Sequence, residues 1–260
     1  MADTGTRDTF GITKLYPDAT DGRTWFSTWG NGVARSLTSG QRDPHDPTGL
    51  LKLRGSSPRL EIDGQGTGRL SGDSPRMYVY DEPQVEKWGN VEVTFYARRI
   101  SERGEKSSQG FVAGARSEHQ NATTEPSCNG LTYYGRMLYD GRVNFQKELV
   151  HHLGANDLGY TAPRPATGCN PWHTEDGRIP RYVWIGYKLV VRNSADGSAV
   201  LLSLYRDMTD GFAGGRWPVA QDDGSQAQPG TSVARSGQSS KNERVPAASM
   251  EFPGCPFCPL

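Results

Sequence analysis

The sequence predicts an all-β protein: a two-sheet antiparallel β-sandwich of the jelly-roll kind, with long loops and a low-complexity C-terminal tail. Three observations lead there. Turn formers are scattered through the 260 residues, Gly 32 and Pro 17 in no fixed period, which is the punctuation of many short strands. Aromatic side chains are plentiful (Trp 6, Tyr 11, Phe 8), as half-buried strands favour. No segment carries a long i, i+3, i+4 apolar stripe, so substantial helix is not expected. Short strands with one apolar face must cover it with a second sheet, hence the sandwich.

The elements follow in chain order. Residues 1–50 are turn-rich and hold Thr24-Trp25-Phe26-Ser27-Thr28-Trp29. Arg59-Leu60-Glu61-Ile62-Asp63 alternates polar and apolar and stops at Gly64, as a half-buried strand does. Met77-Tyr78-Val79-Tyr80 is a second strand, ended by Asp81-Glu82-Pro83. Val91 to Arg98 is the clearest strand, with Val91, Val93, Phe95 and Ala97 on one face and Glu92, Thr94, Tyr96 and Arg98 on the other. Gly110 to Gly114 reads as a buried strand running into Arg116-Ser117-Glu118-His119. Leu131 to His152 holds Asp140-Gly141, the favoured pair of a two-residue type I′ hairpin turn. A Pro/Gly-rich loop spans Gly154 to Pro180. Tyr182 to Val191 and Ala199 to Tyr205 are two further strands, joined by a hairpin loop at Asn193 to Ser198. No internal repeat is evident. After Trp217 the chain has no Trp or Tyr and is rich in Gly, Ser, Gln and Pro. Residues 1–217 are therefore taken as the jelly-roll domain, and residues 218–260 as a tail expected to be disordered or truncated.

Charge and motif content narrow the function classes. Lys+Arg 29 against Asp+Glu 29 leaves a net charge of zero, so no overall positive field gathers phosphates and a basic nucleic-acid binder is not expected. No 18-residue apolar run is present, so no membrane span is expected. Met1-Ala2-Asp3-Thr4-Gly5 lacks a signal-peptide apolar region; the protein is expected inside the cell, or outside it if a leader has been trimmed. Of the four cysteines, Cys255-Pro-Phe-Cys258 has redox or half-zinc spacing, but further ligands lie far upstream and no helix follows, so chance is the plainer reading. Cys128 and Cys169 lie in loop-like sequence and are able to bridge in a secreted protein. There is no HExxH, phosphate loop or GxSxG. Asp43, Asp46, Asp222 and Asp223 offer loop carboxylates for calcium, but the Asp-x-Asp-x-Asp-Gly spacing is missing. No cofactor or metal is expected. His45 and His173 read as loop residues.

The hairpin carries the candidate site. With Asp140-Gly141 as the two turn residues, Tyr139 lies opposite Arg142, Arg136 opposite Phe145 and Tyr134 opposite Lys147. Strand alternation then places Tyr134, Arg136, Lys147 and His151 on one face and Tyr139 on the other; a slip of one residue exchanges the faces. Tyrosine rings stack on sugars, while Arg and Lys bind carboxylate or sulfate, so such a face suits an anionic sugar. An ordinary solvated face is the plain alternative. Arg116, Glu118 and His119 form a second candidate, with Arg116 and Glu118 on one face and His119 on the other; a surface ion pair is its plain alternative. His151 and His152 point opposite ways along a strand and do not form a two-histidine metal site.

Trp88-Gly-Asn-Val-Glu-Val-Thr-Phe-Tyr96 and Tyr182-Val-Trp-Ile-Gly-Tyr-Lys-Leu-Val-Val191 resemble outer strands of the concanavalin A-like lectin/glucanase jelly rolls. Arg116-Ser-Glu-His119 is loosely similar to the Arg-x-Glu strand motif of alginate-lyase-type polysaccharide lyases. The resemblance covers residues 60–217. It implies a carbohydrate-active jelly roll, a polysaccharide lyase cleaving an acidic uronate chain by β-elimination. Tyr134, Lys147 and His151 are then the catalytic candidates, and Arg116, Glu118, His119, Arg136 and Tyr139 the substrate-binding ones. The lyase Gln-Ile-His and Tyr-Phe-Lys-x-Gly strands are not present, so Lys147 and His151, with Tyr134 or Tyr139, would have to fill those roles. The glucanase Glu-x-Asp-x-x-Glu strand is also missing, which argues against a retaining glycosidase with carboxyl groups about 5–5.5 Å apart. A non-catalytic carbohydrate-binding module would use the same face, and a structural or interaction domain would leave it merely polar. The expected partner is a polysaccharide, and the chain is expected to be a monomer.

Overall fold

The computed structural model describes residues 5–79, 88–103, 109–117, 131–149, 159–161, 163–169, 177–197, 199–218 and 234–235. These residues are all-β, with a single 3-10 turn at Phe212–Gly214 among the described elements, and they form three antiparallel sheets. No helix among them is long and apolar enough to cross a membrane. The chain divides into two compact units, Asp18–Lys87 and Met1–Pro17 with Trp88–Leu260.

The 18–87 unit holds β1 (Arg35–Thr38), β2 (Leu51–Ile62) and β3 (Gly68–Val79), in the order β1-β2-β3. Its core is Leu37, Leu51, Leu53, Leu60 and Ile62, flanked by half-buried Trp25, Trp29 and Val79. Leu51 and Leu53 are odd positions, Leu60 and Ile62 even ones, so a regular strand would send one pair outward. Two bulges remove the conflict. The pairing runs Arg54↔Arg76, Ser56↔Asp73, Arg59↔Ser71, with a register shift on each side of Ser56. The bulges are built by a repeat that the hydrophobic pattern did not reveal: Gly55-Ser56-Ser57-Pro58-Arg59 recurs on the facing strand as Gly72-Asp73-Ser74-Pro75-Arg76. In each copy the glycine has a positive φ (124° and 127°), as does the serine before the proline (48° and 50°). A Cβ at Gly55 would lie 2.6 Å from the Ser74 carbonyl oxygen, and one at Gly72 2.5 Å from that of Ser57. Each glycine thus makes room for the other copy's Ser-Pro backbone.

The second unit contains two four-stranded sheets. One joins β4 (Val91–Ala97), β9 (Ile185–Asn193), β10 (Val200–Asp207) and β11 (Ala234–Arg235) in the order β11-β10-β9-β4. The other joins β5 (Gly110–Ala115), β6 (Thr132–Leu138), β7 (Val143–Glu148) and β8 (Arg164–Cys169) in the order β5-β6-β7-β8. A single apolar cluster takes Ala113, Ala115, Tyr133, Met137, Val143 and Phe145 from the second sheet and Ile185, Tyr187, Leu189, Val191, Val200, Leu202 and Leu204 from the first. The alternation in β4 holds: Val91, Val93 and Phe95 pack on this cluster, Phe95 stacking on Tyr187 at 4.7 Å. The other side of β4 is covered rather than solvated. Lys188 Nζ donates to Glu92 Oε1 (2.5 Å) and Thr94 Oγ1 (2.6 Å), and Ile12, Val190, Tyr205 and Trp217 close a second apolar cluster there.

Three elements escaped the sequence pattern. β8 lies inside the expected Gly154–Pro180 loop, β1 inside the turn-rich N-terminal stretch, and β11 pairs with β10 from beyond Trp217 (Leu201↔Arg235, Leu202↔Ala234). The expected strand at Tyr182 begins only at Ile185, and Tyr182 itself has φ 62°.

Gly72→Ala places a methyl group against the Ser57 carbonyl at a positive φ. It is expected to destabilise the 18–87 unit by about 1–3 kcal/mol, read as a lower urea midpoint; an unchanged midpoint would refute the role given to the paired bulges.

Candidate functional site

The hairpin register decides which side chains meet. β6 and β7 pair Thr132↔Glu148, Tyr133↔Lys147, Tyr134↔Gln146, Gly135↔Phe145, Arg136↔Asn144 and Met137↔Val143. The turn has three residues, Tyr139, Asp140 and Gly141, closed by Leu138 N–H to the Arg142 carbonyl (2.8 Å) and Gly141 N–H to the Leu138 carbonyl (2.9 Å). Gly141 has φ 86°, the left-handed third position of a three-residue hairpin loop. Asp140 steadies it by accepting from Arg142 N–H (3.2 Å) and Nε (2.8 Å). The expected two-residue turn is therefore off by one, and the faces exchange. The physical reason is the core. Met137, Val143 and Phe145 are all buried in one cluster, and the two-residue register would have put Met137 and Phe145 on opposite faces.

The correction divides the predicted set. Tyr134 and Arg136 share one face. Lys147 lies on the other, 6% exposed, with Nζ 4.9 Å from the centre of the Tyr133 ring. The groove expected to hold Tyr134, Arg136 and Lys147 together is thus not formed. Tyr139 sits in the turn, edge-on to Phe111 at 5.8 Å and under the Arg99 guanidinium at 4.7 Å. Arg116 follows β5 with φ 54° and donates to the Gly89 carbonyl (2.9 Å), Asn193 Oδ1 (2.8 Å) and Asn90 Oδ1 (3.2 Å). It ties the end of β5 to Gly89 and Asn90 before β4 and to Asn193 at the end of β9. His151, Glu118 and His119 lie outside the described residues, as do His173, Cys128, Cys255, Cys258, Asp222 and Asp223.

Tyr134 and Arg136 stand beside three residues that the sequence pattern did not single out: Asn144, Gln146 and Glu148. The Tyr134 hydroxyl donates to Glu148 Oε2 at 2.6 Å, and the Glu148 residue is fully buried. Arg136 Nε donates to Asn144 Oδ1 at 2.8 Å. Gln146 Nε2 donates to the Thr161 carbonyl at 2.9 Å. Residues 159–161 extend the ladder beside β7: Thr161 N–H donates to the Lys147 carbonyl (2.8 Å) and Leu149 N–H to that of Gly159 (2.8 Å). On the far side, Gly114 pairs with Tyr134, and a Cβ there would lie 3.0 Å from Tyr134 Cε1. The absence of a side chain at Gly114 is what admits the tyrosine ring. Alternation shows why these residues were missed. A two-residue register puts Asn144, Gln146 and Glu148 on the face opposite Tyr134, so alternation from that turn does not bring them together.

Burial, then the hydrogen bond to the Glu148 carboxylate, push the Tyr134 phenol well above its ordinary range. Burial lowers the Arg136 guanidinium, and Arg142 adds to that, but an arginine remains a cation in any protein setting. The face therefore offers a phenol that keeps its proton, a carboxylate in contact with it, and a half-buried positive charge close by. No group of three or more His, Cys, Asp or Glu able to hold a metal ion is present among the described residues. Asp43 receives Arg35 on both oxygens (2.7 and 2.6 Å), and Asp46 accepts from Trp25 Nε1 (2.9 Å), Thr48 Oγ1 (2.6 Å) and Leu51 N–H (2.8 Å).

No protein-family model, no curated protein and no solved structure matches the chain.

The turn rests on an ionic group next to Tyr139, in which the Arg99 and Glu102 side chains are buried and Arg181 is exposed. Arg99 and Arg181 both donate to Glu102, and the Arg99 hydrogen bond, with that of Arg181, holds the Glu102 carboxyl down to about 2 against its own burial. A carboxyl depressed in the folded state adds stability that is complete above its ordinary value of 4.5 and is lost as pH falls toward about 2. Glu102→Gln should flatten the loss of stability between those two pH values, measured as urea midpoints across the acid range. An equally steep decline in the variant would remove Glu102 from this role.

Proposed function

We propose that the unit built from residues 1–17 and 88–260 is a carbohydrate-active β-sandwich of the jelly-roll kind, which binds an acidic, uronate-containing polysaccharide on the Tyr134–Arg136 face and cleaves it by β-elimination. The observation that carries this reading is the Tyr134–Glu148 pair, 2.6 Å from hydroxyl to carboxylate, on the same sheet face as Arg136. A uronate lyase has to neutralise the sugar carboxylate, remove the proton on the adjoining ring carbon, and protonate the leaving glycosidic oxygen. Arg136 is suited to the first task, because guanidinium and carboxylate match as planar, charge-assisted partners. Its charge over the uronate stabilises the enolate that forms when the neighbouring carbon is deprotonated.

Tyr134 and Glu148 supply the two proton transfers as a relay. The phenol oxygen takes the carbon-bound proton while its own proton passes to the Glu148 carboxylate. The glycosidic C–O bond then breaks, the phenol gives its proton to the leaving oxygen, and Glu148 returns its proton to the phenoxide. The products are a chain end with a new hydroxyl and an unsaturated uronate, and the protein ends in its starting protonation state. The relay explains how a phenol whose pKa is raised takes part: it is never required to rest as a phenoxide. Lys147, on the opposite face, has no part in it.

A second reading, a non-catalytic carbohydrate-binding module, is favoured by one feature. Arg136, Gln146 and Tyr134 are each held by a hydrogen bond, as a preorganised binding surface requires.

Incubation with polyuronates, followed at 235 nm for the unsaturated product, separates the two. The lyase reading expects product from wild type. It expects Glu148→Gln or Tyr134→Phe to lower turnover by about 10²–10⁴-fold with affinity largely kept. Arg136→Gln should weaken substrate binding by about 1.5–3 kcal/mol. Binding without product from any polyuronate assigns the module reading, and absence of both removes the carbohydrate assignment.

A further inference from the structure

We propose that β5 is a self-association edge: two copies of the chain pair their Gly110–Ala115 strands antiparallel about Val112, joining their four-stranded sheets into one. β5 ends the order β5-β6-β7-β8, so one side of it is unpaired within that sheet. The direction of its backbone groups follows from one bond. Tyr139 N–H donates to the Gln109 carbonyl at 2.7 Å, and these residues lie directly opposite when the pairing Gly110↔Leu138 is extended by one step. Directly opposite residues that share such a bond form a hydrogen-bonded pair, and these pairs alternate along an antiparallel ladder. Phe111, Ala113 and Ala115 therefore turn their N–H and C=O groups toward β6, while Gly110, Val112 and Gly114 turn theirs to the open side. There they have no hydrogen-bond partner among the described residues, and Val112 is 45% exposed.

Sheets guard their edges with charges, prolines, bulges or very short strands, and the other edge strands here do so. β3 carries Arg69, Asp73, Pro75, Arg76 and the bulges, β4 carries Glu92, and β8 carries Arg164 and Pro165. β1 has four residues with Arg35, and β11 two with Arg235. β5, Gly-Phe-Val-Ala-Gly-Ala, has no charge, no proline and no register shift. Its outward positions read Gly-x-Val-x-Gly in either direction, which selects a second copy as the occupant. Antiparallel self-pairing sets Val112 against the partner's Val112 and Gly110 against the partner's Gly114. These facing pairs exchange about six hydrogen bonds, and the two-fold axis opposes no like charges. On the core side Phe111 meets the partner's Ala113, large against small. Because Val112 lies opposite Arg136 and Gly114 opposite Tyr134, the polar face runs on into the partner's, with the two Arg136 positions about 14 Å apart at about 4.8 Å per strand. A contact of this length is at the small end of specific interfaces, so association depends on concentration. It replaces the monomer expected from the sequence and stands apart from the uronate reading.

Sedimentation of the full chain from about 1 to about 300 µM, a range that brackets a small interface, tests the pairing. No sugar is present, so the outcome is independent of the polyuronate assay. Wild type should move from 28.5 kDa toward twice that mass as concentration rises. Val112→Lys sets like charges opposite one another at the two-fold axis and supplies the guard that β5 lacks. It should raise the half-dimerisation concentration about tenfold or more, with an unchanged far-UV circular dichroism spectrum, because the bonds to β6 are untouched. Val112→Cys reads geometry and stays informative if Val112→Lys does not fold. Directly opposite residues of a hydrogen-bonded pair have Cα atoms about 5.5 Å apart, within disulfide reach. Under oxidised glutathione this variant should give a dimer linked through position 112 of both copies, identified by the mass of the joined peptide. Wild type that stays at 28.5 kDa throughout, a dimer indifferent to Val112→Lys, or linkage through other cysteines alone overturns the proposal.

Discussion

At Gly135 the two four-stranded sheets meet across their shared apolar layer. A Cβ there would lie 2.8 Å from Leu189 Cδ1 and 3.1 Å from Leu204 Cδ1, and the buried Tyr187 hydroxyl donates to the Gly135 carbonyl. Close packing leaves no tolerance for a shifted strand at such a contact. Once Gly135 is pinned, Met137 and Tyr133 on the same strand must also face inward, as must Val143 and Phe145 across the hairpin. Everything on the other face follows from alternation alone. Tyr134, Arg136, Asn144, Gln146 and Glu148 share a surface because their neighbours are needed in the core.

That constraint explains both the composition and the chemistry of the polar face. Its members lie on a sheet whose reverse side is dry and packed; Tyr134, Arg136 and Gln146 are half-buried, and Asn144 and Glu148 are buried. A half-buried polar group needs a partner, and the pairs Tyr134–Glu148 and Arg136–Asn144 provide it. The same partial burial holds the Tyr134 proton in place. Stability and the proposed proton relay thus draw on one arrangement.

The 18–87 unit meets the same demand differently. Its five core side chains come from strands whose apolar positions change parity midway. There the chain adjusts the backbone instead of the side-chain order, through glycines in a positive-φ conformation available to them without a Cβ clash. Two bulges facing each other across one strand pair keep both halves of the sheet on one core, and the charged positions move with them.

By itself the sequence determined the strand-rich class, because helical periodicity is missing and turn formers recur throughout. It also determined the two faces of Val91 to Ala97, where alternation is unbroken, and the presence of a hairpin about Asp140-Gly141. Local pattern was sufficient there because each feature is set by residues within one strand or one turn. It did not determine the register of that hairpin. Asp-Gly serves a two-residue turn and a three-residue turn alike, and the choice lies with Leu189, Tyr187 and Leu204, which are distant in sequence and packed against Gly135. For the same reason Glu148, Asn144 and Gln146 were invisible as companions of Tyr134, Lys147 was placed beside it, and Arg116 was given to a ligand rather than to Asn90 and Asn193. Short strands such as Ala234–Arg235 carry too few residues for any period, and exist as strands only because β10 offers an edge to pair with. Register, and with it the membership of every face, was decided by contacts between strands far apart in the chain, since only the packed core distinguishes a strand from the same strand shifted by one residue.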